Sequence, residues 1–184
     1  MSEGSNYVRY ENPFATPLPL REPSRRFRGR LVAPVTLWTS GRGSEATGLT
    51  ISSILVAEGP PAVVFGIVNQ TADLWEAIHE TRAFVVHVLE EPHRALADRF
   101  AGLRPSPGGL FADLAMRDSD WGPVVTSLGT RAYCAYSEST EAGLQHLLRG
   151  EIQRMELSDV EHPLGYFRGR YRSLRARGLP SQGP

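Results

Sequence analysis

The chain contains no lysine: all 20 of its basic residues are arginine. That absence excludes chemistry outright. No Schiff base can form on a side-chain amine, which removes pyridoxal-phosphate catalysis. A Walker-type phosphate loop is also excluded, because its lysine is missing. Any phosphate held here must be met by arginine, hydroxyls, amides or backbone N–H groups. Cysteine is nearly as scarce. The single residue, Cys134, cannot close an internal disulfide, and this favours a cytoplasmic address. Long apolar runs are missing as well. The longest, residues 62–68, falls far short of the roughly 20 residues a membrane helix needs. The first residues carry Glu3, Glu11 and several prolines, so no signal peptide is expected. Net charge is zero, 20 acidic residues offsetting the arginines. No global field draws the chain to nucleic acid or to an anionic membrane.

Two further chemistries lack their residues. The five histidines (His79, His87, His93, His146, His162) show no ligand spacing on one helix and no cysteine support, so no metal site is expected. No Gly-x-Ser-x-Gly elbow is present, which argues against a serine hydrolase.

What remains is ordinary globular material. At 184 residues, 41% hydrophobic and 22% charged, the chain fits one domain with short ends. Residues 1–28 read as an irregular arm. Pro13, Pro17, Pro19 and Pro23 oppose helix and central strand there, and Arg25, Arg26, Arg28 and Arg30 make its end basic. Residues 175–184 read as a flexible tail. Between them, residues 29–174 alternate short β-like runs with turn signals. Residues 31–39 and 47–56 flank the turn Gly41-Arg42-Gly43-Ser44 as a hairpin. Residues 62–68 are continuously apolar and predict a strand buried on both faces. Residues 83–89, 130–136, 151–157 and 164–171 are further strand candidates, with Ala132, Cys134 and Tyr136 on one face of the run 130–136.

Two short helices are predicted. Thr71 can cap the first, with Asp73 in its first turn and Leu74 and Ile78 four apart. The second follows Pro92, with Leu96 and Phe100 four apart. Residues 102–123 form a Gly/Pro-rich excursion that reads as a lid or as the seat of a short helix. Many strands and few helices predict an all-β barrel rather than a parallel βαβ sheet. Gly41-Arg42-Gly43 precedes a strand pattern, not a helix, so it does not fit a dinucleotide fingerprint.

Three segments offer polar groups to a ligand. Gly48-Leu49-Thr50-Ile51-Ser52-Ser53 places hydroxyls and backbone donors within a strand, suited to a flat ring that gathers negative charge when reduced. Val68-Asn69-Gln70-Thr71 leaves a strand and begins a helix, a natural phosphate seat. Asp98-Arg99-Phe100-Ala101 ends the second helix, where Arg99 could meet a phosphate.

In this order and spacing, these segments resemble the flavin reductase-like, FMN-binding split-barrel family. Gly59-Pro60-Pro61, residues 82–89, Leu96-Ala97-Asp98-Arg99-Phe100-Ala101-Gly102 and Tyr166-Phe167-Arg168-Gly169-Arg170-Tyr171 add to the resemblance, which runs from about residue 31 to residue 174. It implies a six-stranded Greek-key split barrel, usually a homodimer with flavin near the subunit interface. It implies FMN or FAD as cofactor, NADH or NADPH as co-substrate, and reduced flavin passed to a partner monooxygenase. By the same resemblance, Gly48, Leu49, Thr50, Ile51, Ser52 and Ser53 hold the isoalloxazine and ribityl chain. Asn69, Gln70 and Thr71 hold phosphate, with Arg99, Phe100 and Ala101 beside them. Gln145, Tyr166, Arg168 and Tyr171 lie toward the nicotinamide or substrate, and Gln145 and His146 are the catalytic candidates.

Two positions depart from the family pattern. Many family reductases carry Gly-Asp-His-Thr ahead of the strand ending in Gly-Glu-Val, with the histidine beside the nicotinamide. Here Gly143-Leu144-Gln145-His146 stands in that place. His146 is one residue late, and a one-residue shift in a strand turns a side chain to the opposite face unless a bulge intervenes. His87 stands where the family usually has asparagine. Since hydride transfer depends chiefly on holding two rings in contact, Gln145 is compatible with reductase chemistry. It is also compatible with a flavoenzyme acting on another small molecule, or with a non-catalytic flavin carrier.

Overall fold

The computed structural model describes residues 23–174. Residues 1–22 of the expected arm and the expected tail, 175–184, lie outside the described residues. Twelve strands form three sheets: β1 (Ala33–Pro34), β2 (Thr36–Ser40), β3 (Thr47–Ile51), β4 (Ile54–Ala57), β5 (Val63–Val68), β6 (Ala83–Val88), β7 (Met116–Arg117), β8 (Val124–Val125), β9 (Arg131–Ala142), β10 (Gln145–Glu156), β11 (Leu164–Phe167) and β12 (Arg170–Ser173). The helices are α1 (Pro23–Arg28), α2 (Asp73–Thr81) and α3 (Arg94–Phe100).

The main sheet runs β3-β2-β6-β9-β10-β5-β4, antiparallel throughout. Its two edge strands, β3 and β4, are separated in sequence by only Ser52 and Ser53. Two residues span at most about 7 Å, so the sheet must curl until its edges meet. This is the split barrel. The expected single strand over 47–56 is one bent strand serving both edges, and counting it once yields six strands instead of seven. The Ile67 N–H donates to the Ser53 carbonyl at 3.1 Å, fixing the junction against β5.

Trp38, Phe84, Val64, Val68, Cys134 and Leu148 fill the barrel, and Leu74 and Ile78 of α2 plug its open side. Trp38 and Phe84 stack with centroids 4.8 Å apart. Their size demands bare backbone opposite: a Cβ at Gly66 would strike the Trp38 ring, and one at Gly150 the Phe84 ring. A second core joins Leu37, Leu89, Ala97, Phe100, Leu128 and Leu164 between barrel and α3. The small sheet β1-β11-β12 covers this side.

Several expectations need correction. β5 alternates buried and half-buried residues rather than being buried on both faces. Its inner residues pack in the barrel, while Val63, Phe65 and Ile67 point outward. β9 and β10 each run 12 residues, far beyond the predicted 130–136 and 151–157. The added part of β9, residues 137–142, is mostly polar, and the added part of β10, residues 145–150, sets Leu147 and Leu148 side by side, so neither shows apolar alternation to read. Residues 164–171 divide into the hairpin β11–β12. Residues 23–28, expected to be irregular, form α1, with Pro23 at the first position, the one place proline suits a helix. The 102–123 excursion holds no helix. It contains β7, which pairs with β8, and is pinned by Phe111 edge-on to Phe100 at 5.2 Å.

Candidate functional site

The three predicted segments meet different fates. Within residues 48–53, most side chains are committed to the fold. Gly48 is buried because a Cβ there would lie 2.9 Å from both Phe100 Cε1 and the Trp38 carbonyl. Ile51 is core, and Leu49 packs against it. The Thr50 hydroxyl donates to the Ala97 carbonyl at 2.8 Å, tying β3 to α3. Ser53 makes only a long contact, 3.5 Å, to the Ile67 carbonyl. The half-buried Ser52 hydroxyl has no partner among the described residues. The open donors are therefore concentrated at the junction where the barrel edges meet.

Asn69, Gln70 and Thr71 are exposed just before α2. Thr71 is not the helix cap. Asn69 Oδ1 accepts the Thr71 N–H at 3.1 Å, and the Asn69 carbonyl accepts the Ala72 N–H at 3.0 Å. This Asx-type turn moves the helix start to Ala72, which supplies no side-chain cap. The first N–H groups of α2 thus stay open to an anion. Asp73 and Glu76 in that turn already complement the helix dipole, so the neutral donors must carry much of the attraction for a phosphate.

Strand register links these two segments to the third element. Ile54 pairs with Gly66, and Val68 pairs with His146 of β10. The Ser52–Ser53 junction, the end of β5 and the start of β10 therefore lie across one end of the sheet. A two-residue turn, Gly143-Leu144, joins β9 to β10, with Gly143 at φ +65°. Gln145 and His146 follow with opposite orientations. His146 donates from Nε2 to Gln70 Oε1 at 3.2 Å and packs on Trp75 of α2 at 4.7 Å. The bulges of β10 fall at Arg149/Gly150 and Ile152/Arg154, so none brings His146 to the face of Gln145. His146 belongs to the wall that holds the 69–71 turn, and Gln145 shares the outer face with Leu147.

A ring column missing from the sequence reading continues this wall. Trp75 packs on His79 at 4.1 Å. His79 Nδ1–H donates to the Trp75 carbonyl at 2.8 Å, and Nε2 accepts the Tyr136 hydroxyl at 2.9 Å. The Arg82 guanidinium covers Tyr136 at 4.1 Å. The spacing of Trp75 and His79, one helical turn apart, was the available signal.

The third segment is largely structural. Arg99 donates one N–H to the Ala112 carbonyl at 2.8 Å and so braces the excursion. Phe100 is core and Ala101 is the C-cap of α3. Tyr166 and Tyr171 pack edge-on at 5.5 Å within the second core. Burial, aided by Asp98, raises the Tyr171 phenol well above its usual range. Arg168 is exposed in the β11–β12 turn at φ +51°, its N–H on the Gly29 carbonyl. The residues expected toward the nicotinamide thus divide between two places, Gln145 on β10 and the tyrosines beside α3.

His87 is fully buried. The Val125 N–H donates to its Nε2 at 3.3 Å, leaving Nδ1–H to donate to the Leu37 carbonyl at 3.2 Å. Burial lowers its pKa to about 4. It is a neutral staple across β2, β6 and β8, outside the open end.

A curled antiparallel sheet whose edges meet beside open polar groups defines the split-barrel class of fold, and comparison with known proteins makes the family specific. The flavin reductase like domain model matches residues 28–175. The chain belongs to the flavin reductase-like domain family. It is 25% identical over 162 residues to an FMN reductase (NADH) RutF of Variovorax paradoxus, covering 88% of this chain and 90% of that one. It is 26% identical over 155 residues to the reductase component of 4-hydroxyphenylacetate 3-monooxygenase of Thermus thermophilus, covering 84% and 97%. The crystal structure of nitrilotriacetate monooxygenase component B from Mycobacterium thermoresistibile superposes with a TM-score of 0.75 at 23% identity, covering 88% and 90%.

Proposed function

We propose that this protein is an NAD(P)H-dependent flavin oxidoreductase that supplies reduced FMN or FAD to a partner monooxygenase in the cytoplasm, with residues 29–174 as its flavin-binding domain. The observation that carries this reading is the family match across the whole barrel. Relatives of nearly the same length act as NADH-dependent FMN reductase and as a monooxygenase reductase component.

The flavin, when bound, supplies the two-electron acceptor for a hydride. This chain's residues do the rest. Ser52, Ser53 and the β3 backbone offer N–H and O–H donors to the polar ring edge, where fixed donors favour the reduced state. Asn69, Gln70, Thr71 and the uncapped start of α2 hold phosphate without lysine. Gln145 hydrogen-bonds the nicotinamide carboxamide in place of an imidazole. Its role is to orient the co-substrate, because the hydride itself needs ring contact, not a protein acid or base.

The outer sheet face supports a homodimer. Leu55 pairs with Phe65 and Ile67 with Leu147, so these side chains share one surface. Leu55 is 71% exposed. A second copy would cover this apolar face, and Gln145 on the same face would then lie at the subunit boundary.

Purified protein supplied with FMN or FAD should oxidise NADH or NADPH in steady state. No turnover in any of the four pairings would reject the reading. Leu144 and Gln145, replacing the family's Asp-His, favour a second reading: a flavoenzyme acting on another small molecule. It expects tightly held flavin that is reduced only slowly by pyridine nucleotides. Rapid bleaching of the flavin absorbance by micromolar NADH would dismiss it.

A further inference from the structure

A cavity of about 560 Å³ opens beside the β2–β3 turn, at the end of β3 opposite Ser52. Its size falls within the range of small-molecule sites, roughly 300–1,000 Å³. No residue expected to hold flavin or nicotinamide lines it. Its walls bring together Arg42, Arg117, Arg154, Trp121, Tyr133 and Asp118, from the β2–β3 turn, the loop after β7 and the three strands β7, β9 and β10.

Arg117 and Arg154 are tied to protein groups, while Arg42 is largely solvated. Glu156 Oε1 accepts the Tyr133 hydroxyl at 2.9 Å and an Arg154 N–H at 2.7 Å. Glu156 Oε2 lies 3.0 Å from Arg131 Nε. The Tyr133 oxygen accepts an Arg117 N–H at 2.8 Å, and Arg117 also lies 3.7 Å from Glu156. One carboxylate thus gathers three guanidinium groups. The Tyr133 hydrogen bond and these cations hold Glu156 below its usual range, so it stays ionised. Each guanidinium carries five N–H donors, and few of them are spent on protein. Arg42 reaches only Asp120, whose carbonyl accepts an N–H at 3.4 Å and whose carboxylate lies 3.8 Å away.

The remaining walls suit a flat polar molecule. Trp121 packs edge-on to Tyr133 at 5.3 Å and is half-buried. Gly122 has φ +127°, and a Cβ there would lie 3.0 Å from Ser40 Cα. Gly41 has φ +86°, and a Cβ there would strike the Glu45 carbonyl. Both turns therefore keep bare backbone at the cavity rim. Asp118 and Asp120 reduce the positive excess, so a simple anion uses only part of this surface. A ligand with an anionic group, a planar ring and hydrogen-bond donors uses all of it.

We propose that this cavity is a second nucleotide-class site, which takes a nucleoside monophosphate with its phosphate on Arg117 and Arg154, its base against Trp121 and a hydroxyl or amino group on Asp118. The site is separate from the flavin junction and does not depend on the proposed activity.

The test is calorimetric titration of the full chain with AMP, adenosine and inorganic phosphate. AMP should bind with a dissociation constant below about 1 mM, and adenosine and phosphate at least about tenfold more weakly. Arg117→Gln with Arg154→Gln should weaken AMP binding about tenfold or more, while NADH oxidation with FMN stays unchanged. Arg154→Gln alone leaves Tyr133, Arg117 and Arg131 on Glu156 and should weaken AMP severalfold, which keeps the test valid if the double variant fails to fold. No saturable heat up to about 10 mM AMP, AMP binding unaltered by these variants, or phosphate binding as tightly as AMP would each overturn the proposal.

Discussion

Thr50 and Thr71 are the same residue in two segments with the same expected ligand, yet they stand in opposite conditions. Thr50 lies on the side of the barrel closed by α3. Its hydroxyl is already bound to the Ala97 carbonyl, beside a buried glycine, a core phenylalanine and an arginine tied to Ala112. Thr71 lies at the open end, exposed, beside an uncapped helix start and an unpartnered Ser52. The contrast separates two reasons for a polar residue to occupy a strand or turn. A hydroxyl satisfied by a backbone carbonyl stabilises the fold and has little left for a ligand. One left without a partner where water reaches it loses nothing until a ligand arrives.

The comparison makes predictions that a break in either side would expose. The largest effect should come from Gly48→Ala on the closed side. Its Cβ would press on Phe100 and the Trp38 carbonyl, costing about 3 kcal/mol in urea unfolding. A wild-type midpoint would show that the α3 contact yields easily.

The pH dependence of His87 should be comparable. Its folded pKa, about 4, lies below the 6.5 of the unfolded chain, so on acidification the unfolded state takes up the proton first. Its contribution is fully present above pH 6.5 and is lost as pH falls from 6.5 toward 4, by about 3 kcal/mol. Stability curves of wild type and His87→Gln should converge in slope outside that window. Parallel curves across it would show that His87 ionises without opening the fold.

On the open end, Asn69→Ala with Thr71→Ala should weaken flavin binding by about 2 kcal/mol, leaving the unfolding midpoint nearly unchanged. Unchanged affinity would place the phosphate elsewhere. The smallest effect should be the mirror image: Thr50→Val should cost about 1 kcal/mol of stability while flavin affinity holds. A large affinity loss in Thr50→Val would erase the distinction between the two sides.

Much of this was legible in the residues. The bent strand appears as a continuous pattern over 47–56, and the barrel follows from short strands with few helices. Leu74 and Ile78, or Leu96 and Phe100, mark helix faces by spacing alone. The end of β9 and the start of β10 were not legible, because Ser137, Glu138 and Glu141 are polar and Leu147 and Leu148 are adjacent, so neither stretch alternates. Thr71 was misread as a cap because Ser/Thr before an acidic first turn is a good local signal, and the Asn69 turn that displaces it is a matter of backbone closure. The Arg99 contact is not legible either, because nothing local predicts a carbonyl 13 residues away.

By itself, the sequence determined the chemistry available: no lysine, no internal disulfide, polar groups in three ordered segments, and Gln145 at the place where the family resemblance expects a histidine. Only the tertiary structure decided which of those donors are free and which face Gln145 and His146 take. It also decided that Arg117, Arg131 and Arg154 would share a single carboxylate. Residue type fixes what a group can bond to. Whether a bond remains to be made depends on which distant backbone comes within reach, and that is settled when the sheet curls until β3 and β4 meet.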